Sequence, residues 1–280
     1  MPKLLSRIRD KGASFSNSFV VTPLCCPSRS SILTGKYVHN HGTMNNSISG
    51  GCSSTKWQDG PEKLTFPVLM NNGGYTTFFA GKYLNQYGKD DVGGLSYIPP
   101  GWDSWIGLKG NSVYYNYSLS INGTPIFHGD NPKEDYLTNL IKDEGLKFIE
   151  ETSGSLPFLM MLSVPACHDP RTPEPKYAHF FNDSRIPETE NFNIANGEDK
   201  NWFVRFGEQP LKHRVIEDIE EMYRDRLRTL MSVDDMIEAV VLALDDQNIL
   251  NNTYIFFASD NGYHLGQFSL AKDKREPYEF

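Results

Sequence analysis

The sequence lacks a long apolar run, an excess of basic residues and a dense set of cysteines. Its longest apolar stretch, around 158–166, is far shorter than the ~20 residues that a helix needs to cross a bilayer. With 27 basic against 35 acidic residues the net charge is −8, which disfavours a protein that grips nucleic acid by overall electrostatics. Four cysteines without paired C-x-x-C spacing argue against a disulfide-stapled scaffold and a structural zinc site.

Several common catalytic motifs are missing as well. There is no Gly-x-Ser-x-Gly and no His-Glu-x-x-His, and the Gly-Lys pairs at 35–36 and 81–82 lack the context of a phosphate-binding loop. The composition is otherwise that of an ordinary globular protein, with 280 residues of which 39% are apolar and 22% charged. This length suffices for one large domain or two small ones.

Apolar stretches alternate along the chain with segments of helical periodicity. The sequence predicts strands at 15–21, 76–80, 156–164 and 253–258. It predicts a short helix after Pro27 and longer helices over 135–151 and 215–246. The last two strands are apolar enough to be buried on both faces. We therefore expect an α/β fold with a mostly parallel sheet sandwiched by helices, and ligands outside the carboxyl ends of the strands.

Five Asn-x-Ser/Thr triplets indicate the secretory pathway, where such triplets accept N-glycans. They begin at Asn45, Asn116, Asn122, Asn182 and Asn251. The first nine residues nevertheless contain neither the apolar core nor the cleavage site of a signal peptide. We expect the chain to lack its natural beginning.

The most informative segment runs from Cys25 to Lys36 and reads Cys-Cys-Pro-Ser-Arg-Ser-Ser-Ile-Leu-Thr-Gly-Lys. It places a cysteine at a helix N-terminus, where free N–H groups and the helix dipole favour an anion and lower the pKa of a thiol. Arg29, one turn further on, could hold an oxyanion through two hydrogen bonds. A buried cysteine pair beside a capped helix would give the same local pattern. The four cysteines allow three full pairings.

The order Cys-x-Pro-Ser-Arg followed by Leu-Thr-Gly resembles the signature of the type I sulfatases. In that family a formylglycine-generating enzyme converts the first cysteine to formylglycine. Segments at 79–85, 114–117, 230–235 and 259–270 resemble the glucosamine-6-sulfatase branch. Segments at 93–102 and 273–280 favour its lysosomal type. The resemblance implies an alkaline-phosphatase/sulfatase-like sheet, incomplete at both ends. Residues 1–280 would form the catalytic domain without its first strand and its carboxyl-terminal subdomain.

The resemblance also implies the catalytic residues. Cys25, as formylglycine hydrate, would attack sulfur, form a covalent sulfo-enzyme and then release sulfate by re-forming the aldehyde. Arg29 would hold the hydrate, while Lys82 and Lys274 would bind sulfate oxygens. His168 would contact the sulfate or protonate the leaving alcohol. The acid that follows this histidine would weaken anion binding unless it faces away.

A single calcium ion is the cofactor that the resemblance implies. Asp260 and Asn261 match family ligands, and the hydrate at Cys25 would add an oxygen. Because Ca²⁺ takes about six to eight oxygens, more ligands are needed, and the Asp pair that the family carries on its first strand has no counterpart before Cys25. Lys36 and His264 are weaker candidates for contact with the substrate.

The resulting expectation is a hydrolase that removes the 6-sulfate from N-acetylglucosamine residues of heparan or keratan sulfate. Its partners would be a sulfated glycosaminoglycan and the formylglycine-generating enzyme, without nucleic acid or membrane, and its location the lysosome or else the cell exterior. Two alternatives remain: an extracellular heparan endosulfatase, or a truncated, inactive sulfatase-like chain that binds glycans. Arg224, Arg226 and Arg228, interleaved with acids on the last helix, are interpreted as a solvated face.

Overall fold

A computed structural model describes residues 1–152, 157–195 and 199–274, apart from the side chain of residue 203. The helices are α1 (Pro2–Arg7), α2 (Cys25–Thr34), α3 (Val38–His41), α4 (Thr55–Asp59), α5 (Phe66–Asn72), α6 (Leu137–Thr152), α7 (Trp202–Arg205) and α8 (His213–Asp246). The strands are β1 (Thr76–Lys82), β2 (Ser104–Leu108), β3 (Tyr117–Ile121), β4 (Thr124–His128) and β5 (Phe158–Ser163). No helix within these ranges is both long enough and apolar enough to cross a membrane.

The strands form one mixed sheet in the order β4-β3-β2-β1-β5. The central strand β1 runs parallel to both β2 and β5, and β3 and β4 extend the sheet as an antiparallel hairpin. That hairpin turns at Asn122 and Gly123, which both have positive φ, as the two-residue Asn-Gly turn requires. The carboxyl ends of β1, β2 and β5 therefore meet along one edge of the sheet.

Helices cover both faces of the sheet, as predicted. Alternate residues of β1 point to opposite sides of the sheet and therefore belong to two separate cores. Phe78 and Ala80 belong to a core that includes Ile141 of α6 and Val240 of α8. Phe79 belongs to a second core of aromatic side chains on the other face. The predicted α/β architecture is therefore confirmed, as are the predicted strand β1 and the three predicted helices, now seen as α2, α6 and α8.

Two predicted strands are wrong. Residues 15–21 and 253–258 carry no strand in the structure. Phe15 is 83% exposed and Tyr254 93% exposed, so their apolar side chains are not part of the core. An apolar stretch favours an extended backbone, but a strand also needs a neighbour that supplies hydrogen bonds. Within the described ranges, no strand of the sheet forms hydrogen bonds with either segment.

Other predictions need smaller corrections. Strand β5 occurs, but as an edge strand of the described sheet with five half-buried residues and one buried residue rather than buried on both faces. Cys26 and Cys52 form a disulfide, and Cys25 and Cys167 are free, so the structure adopts none of the three full pairings of the four cysteines. Position 156 of the predicted strand 156–164, and residues 275–280 of the segment that favours the lysosomal type, lie outside the described residues.

Candidate active site

Three elements bring the candidate residues to the carboxyl edge of the sheet. Cys25 is the first residue of α2, Lys82 the last of β1, and Ser163 the last of β5. The register pairs Gly81 with Ser163. A Cβ on Gly81, which has φ +115°, would lie 2.0 Å from the carbonyl oxygen of Ser163. Only glycine allows the two strand ends to approach this closely.

Arg29 connects all of these elements. Its Nε donates to Oδ2 of Asp260 at 2.8 Å. Its Nη1 donates to the carbonyl oxygen of Lys82 at 2.6 Å and to Oγ of Ser163 at 2.8 Å. Ser163 in turn donates to the same Lys82 carbonyl at 2.7 Å. The guanidinium therefore fixes the end of β1 and the loop of Asp260 relative to α2.

Cys25 is 2% exposed and faces a group of polar side chains. Burial by itself raises the pKa of its thiol. A hydrogen bond with His168 and the positive charges of Lys82 and Lys274 outweigh that effect and lower the pKa to about 6. The site therefore favours an anion at this position, although the chain as a whole is acidic.

Lys82 is only 1% exposed, which is unusual for a lysine. Its Nζ donates to Oδ1 of Asn111 at 2.8 Å. Burial, and then the positive charge of Arg29, lower its pKa to about 8. The ammonium group is thus largely desolvated, and water would screen its charge only weakly from an anionic oxygen.

The loop after residue 258 contributes a carboxylate, a carboxamide and a second lysine. Burial raises the pKa of Asp260, but the neighbouring positive charges of Arg29, Lys82 and Lys274 more than offset this and lower it. Nζ of Lys274 donates to Oδ1 of Asn261 at 3.2 Å. The predicted residues Asp260, Asn261 and Lys274 therefore lie together with the cations of α2 and β1.

His168 lies in the loop after β5, where its imidazole meets the thiol of Cys25. The hydroxyl of Tyr114 donates to its carbonyl oxygen at 2.9 Å. The following acid, Asp169, is 67% exposed and pairs with Nη1 of Arg171 at 2.6 Å. Because its charge is exposed and paired, Asp169 does not oppose an anion at the site in the way that the sequence suggested.

Two weaker candidates lie at positions that give no direct support for a substrate contact. Lys36 is exposed beyond the last residue of α2, so about 15 Å of helix separates it from Cys25. His264 is 0% exposed, and its backbone N–H donates to the carbonyl of Asp273, the residue before Lys274. The substrate contacts of both residues stay predictions. All five asparagines of the predicted glycosylation triplets are exposed.

The side chains present do not complete a calcium site. Asp260 and Asn261 offer adjacent hard oxygens, but these accept hydrogen bonds from Arg29 and Lys274. No group of three or more His, Cys, Asp or Glu side chains in the described ranges could hold a metal ion. Two residues fall well short of the six to eight oxygens that Ca²⁺ takes. They fit at most part of such a site.

Sequence reasoning missed several residues that shape this site: Ser163, Asn111, Tyr114 and Arg226. Ser163 lies at the carboxyl end of a predicted strand, where ligands bind in such folds, so its position could have identified it. Tyr114 lies in a segment noted only for its resemblance. Asn111 belongs to a loop, and Arg226 to a helix face interpreted as solvated, so neither had a local signal.

Comparison with known proteins agrees with this geometry. A family model described as "Sulfatase" matches residues 1–279. The chain is 49% identical to the N-acetylglucosamine-6-sulfatase of Capra hircus and 48% to that of Homo sapiens, in each case over its whole length. It covers 50% and 51% of those proteins, so it spans about half the length of the curated relatives it matches.

More distant matches include the extracellular sulfatase SULF-1 homolog of Drosophila melanogaster, at 42% identity over 100% of this chain and 25% of that protein. Among solved structures, a protein in complex with its substrate D-glucosamine-2-N,6-O-disulfate matches with a TM-score of 0.74 and 24% identity. The match covers 99% of this chain and 63% of that one. At this identity the likeness establishes the fold, which confirms the alkaline-phosphatase/sulfatase-like arrangement.

Proposed function

Since this chain belongs to the sulfatase family, we propose that it hydrolyses a sulfate ester, and specifically the 6-sulfate of N-acetylglucosamine in heparan or keratan sulfate. The observation that carries the proposal is the convergence of Lys82, Lys274 and His168 on Cys25 at the start of α2. The identity of 48–49% to N-acetylglucosamine-6-sulfatases, against 42% to an extracellular SULF-1 homolog, supports this glycan over the endosulfatase alternative.

Lys82 and Lys274 bind and orient the sulfate in this proposal. Lys82 and Lys274 both lie close enough to Cys25 to lower the pKa of its thiol, so an anion that replaces the thiolate charge meets the same field. Arg29 is already engaged with Asp260 and with the end of β1, and it holds the frame rather than moving. Positive groups fixed before the substrate arrives stabilise charge that develops on the sulfate oxygens without a reorganisation cost.

Cys25 supplies the nucleophile after conversion to formylglycine, whose hydrate offers one hydroxyl to attack sulfur and a second to release sulfate. His168 lies within hydrogen-bond reach of the Cys25 side chain, and we assign to it the proton that the departing sugar oxygen needs. A sugar alcohol is a poor leaving group, so protonation at this oxygen matters for the rate. The net reaction consumes one water and yields the alcohol and sulfate.

For calcium, we propose only which residues would contribute to its binding. Asp260 and Asn261 are hard oxygen donors beside Cys25, which supports a role as two of its ligands. They do not complete a site, and no step of the reaction is assigned to the ion. A secretory location, in the lysosome by our proposal, fits the exposed asparagines of five glycosylation triplets and glycan substrates.

The decisive experiment begins with the mass of the tryptic peptide 12–29, from protein made in a secretory host that contains the formylglycine-generating enzyme. We expect Cys25 as formylglycine, and sulfate release from N-acetylglucosamine 6-sulfate. Cys25→Ser is the matched control, because a serine retains a hydroxyl for attack but cannot re-form an aldehyde. A cysteine that stays unmodified, together with no sulfate release, would overturn the proposal and favour an inactive glycan-binding chain.

A further inference from the structure

Arg226 lies on the long helix α8 and contacts two loops of the candidate site at once. Its Nη1 donates to the carbonyl oxygen of Cys167 at 3.1 Å. Its guanidinium carbon lies 4.4 Å from the centre of the Tyr263 ring. Cys167 immediately precedes His168, and Tyr263 follows Asn261 by two positions. A single side chain on a rigid helix therefore joins the two loops.

The loop that carries His168 is held at consecutive carbonyl groups. Arg226 donates a hydrogen bond to the carbonyl of Cys167, and the hydroxyl of Tyr114 donates one to the carbonyl of His168. Tyr114 is 1% exposed, and burial raises its phenol pKa well above the usual value, so it remains a neutral donor. Two donors from two separate elements thus fix the backbone from which the imidazole reaches the Cys25 side chain.

The loop that carries Asp260, Asn261 and Lys274 is held through an aromatic ring. An arginine stacked on a tyrosine is attracted to the ring face by its positive charge. A lysine could offer the charge but not the flat, multi-donor group that stacks on a ring and donates to a carbonyl at the same time. Arg226 is only partly exposed, so water competes less with both contacts.

The neighbouring arginines of α8 have other partners, and the prediction of a uniformly solvated face is wrong. Arg228 is 7% exposed and donates to the carbonyl of Phe180 and to Asp225. Arg224 pairs with Glu221 at 2.7 Å. In the part of the chain that the structure describes, the hydrogen bonds of these two arginines do not reach the loops of the site.

We propose that Arg226 is a positioning residue that sets the distance between the imidazole of His168 and the reacting centre by clamping its loop against that of Asp260. The proposal rests on the proposed function for its catalytic consequence. Arg226 touches no substrate in this view, and it acts through His168. Its loss should therefore slow those reactions in which the leaving oxygen must be protonated.

The leaving group provides the test. A sugar alcohol needs protonation, whereas 4-nitrophenolate departs readily without it. We expect Arg226→Met to lower kcat for N-acetylglucosamine 6-sulfate about 10- to 100-fold, less than the roughly 10²- to 10⁴-fold contribution of general acid catalysis, because His168 itself is retained. For 4-nitrophenyl sulfate we expect a change below about threefold. Any change in KM should be the same for both esters, since both present the same sulfate group to Lys82 and to Lys274 of the second clamped loop.

Three further variants make the result specific. Arg224→Met, two residues away on α8, is the matched control and should leave both reactions unchanged. Arg226→Lys should restore little, because an ammonium group cannot make both contacts. In a His168→Ala background Arg226→Met should add almost nothing, since residues that act through each other are not additive. Equal losses on both esters, or additive losses in the double variant, would overturn the proposal.

A readout independent of catalysis separates this proposal from the proposed function. Deuterium uptake should accelerate in peptides that cover 165–171 and 260–266 in Arg226→Met but not in Arg224→Met, with thermal unfolding as a check that both variants fold. If the wild-type protein releases no sulfate, the proposed function fails, and the exchange data still decide whether the clamp exists. Unchanged uptake in both loops would refute it.

Discussion

Glu62 is a buried carboxylate whose removal should destabilise the protein strongly. It is 1% exposed and accepts hydrogen bonds from the indole N–H of Trp57 at 2.8 Å, from the hydroxyl of Tyr83 at 2.9 Å and from the hydroxyl of Tyr97. Glu62→Ala leaves these donors without an acceptor. At about 1–3 kcal/mol for each buried unsatisfied group, we expect the loss of three partners to lower the free energy of unfolding by at least about 3 kcal/mol.

The pH dependence of this effect has a definite sign. Burial raises the pKa of Glu62 above its ordinary value of 4.5, and the hydrogen bonds from its three partners only partly offset this. The folded protein therefore binds a proton more tightly than the unfolded chain. Stability is greatest below the unfolded pKa and is lost as the pH rises towards the folded pKa, by up to about 1.4 kcal/mol per pH unit.

Urea unfolding of the wild type and of Glu62→Gln at pH 5 and pH 8 measures this contribution. Glutamine retains an acceptor oxygen but no ionisable proton, so the stability gap between the two proteins should shrink as the pH rises. Glu134→Gln, at an exposed position, is the control and should follow the wild type. If Glu62→Gln shows the same pH slope as the wild type, the burial of a titrating carboxyl at this position is refuted.

Three further predictions address the site and its scaffold. Because burial lowers the pKa of Lys82 to about 8, its charge is lost as the pH rises through that value. We expect KM for a sulfate ester to rise up to about tenfold per pH unit above pH 8 and Lys82→Arg to remove that rise in steady-state assays. Gly81→Ala, with its Cβ 2.0 Å from a carbonyl oxygen of β5, should lower stability by more than ~3 kcal/mol. Gly110→Ala, whose nearest contact is 3.9 Å away, should cost only about 1 kcal/mol, and equal melting temperatures would contradict this. Replacing Cys26 and Cys52 by alanine should cost about 2–5 kcal/mol, visible as a lower Tm that added reductant does not lower further.

The helices were predictable because their signal is local. The apolar spacing over 215–246 predicts α8, which the structure places at His213–Asp246. The two missed strands, at 15–21 and 253–258, have an equally clear apolar signal. Whether such a segment becomes a strand depends on a hydrogen-bonding neighbour far away in sequence, and no local pattern contains that information.

The same distinction separates the site residues that could be predicted from those that could not. Cys25 and Lys82 lie at the ends of elements, where helix dipoles and parallel strands concentrate function, so their positions carry a physical signal. Asn111 and Arg226 act through partners 29 and 59 residues away. Their roles arise when loops and a helix approach each other in the fold, and residue type alone does not reveal that approach.

The charge distribution connects the fold to the proposed substrate. The chain carries a net charge of −8, yet at the candidate site the positive charges of Arg29, Lys82 and Lys274 surround the carboxylate of Asp260. A protein that lay along a polyanionic glycan would need a positive stripe, since exposed charges separated by more than about 10 Å are screened. Positive charge concentrated around Cys25 instead suits one sulfate group held in place. This supports hydrolysis of one sulfate ester at a time, and it places the selectivity for anions in a few buried cations rather than in the surface.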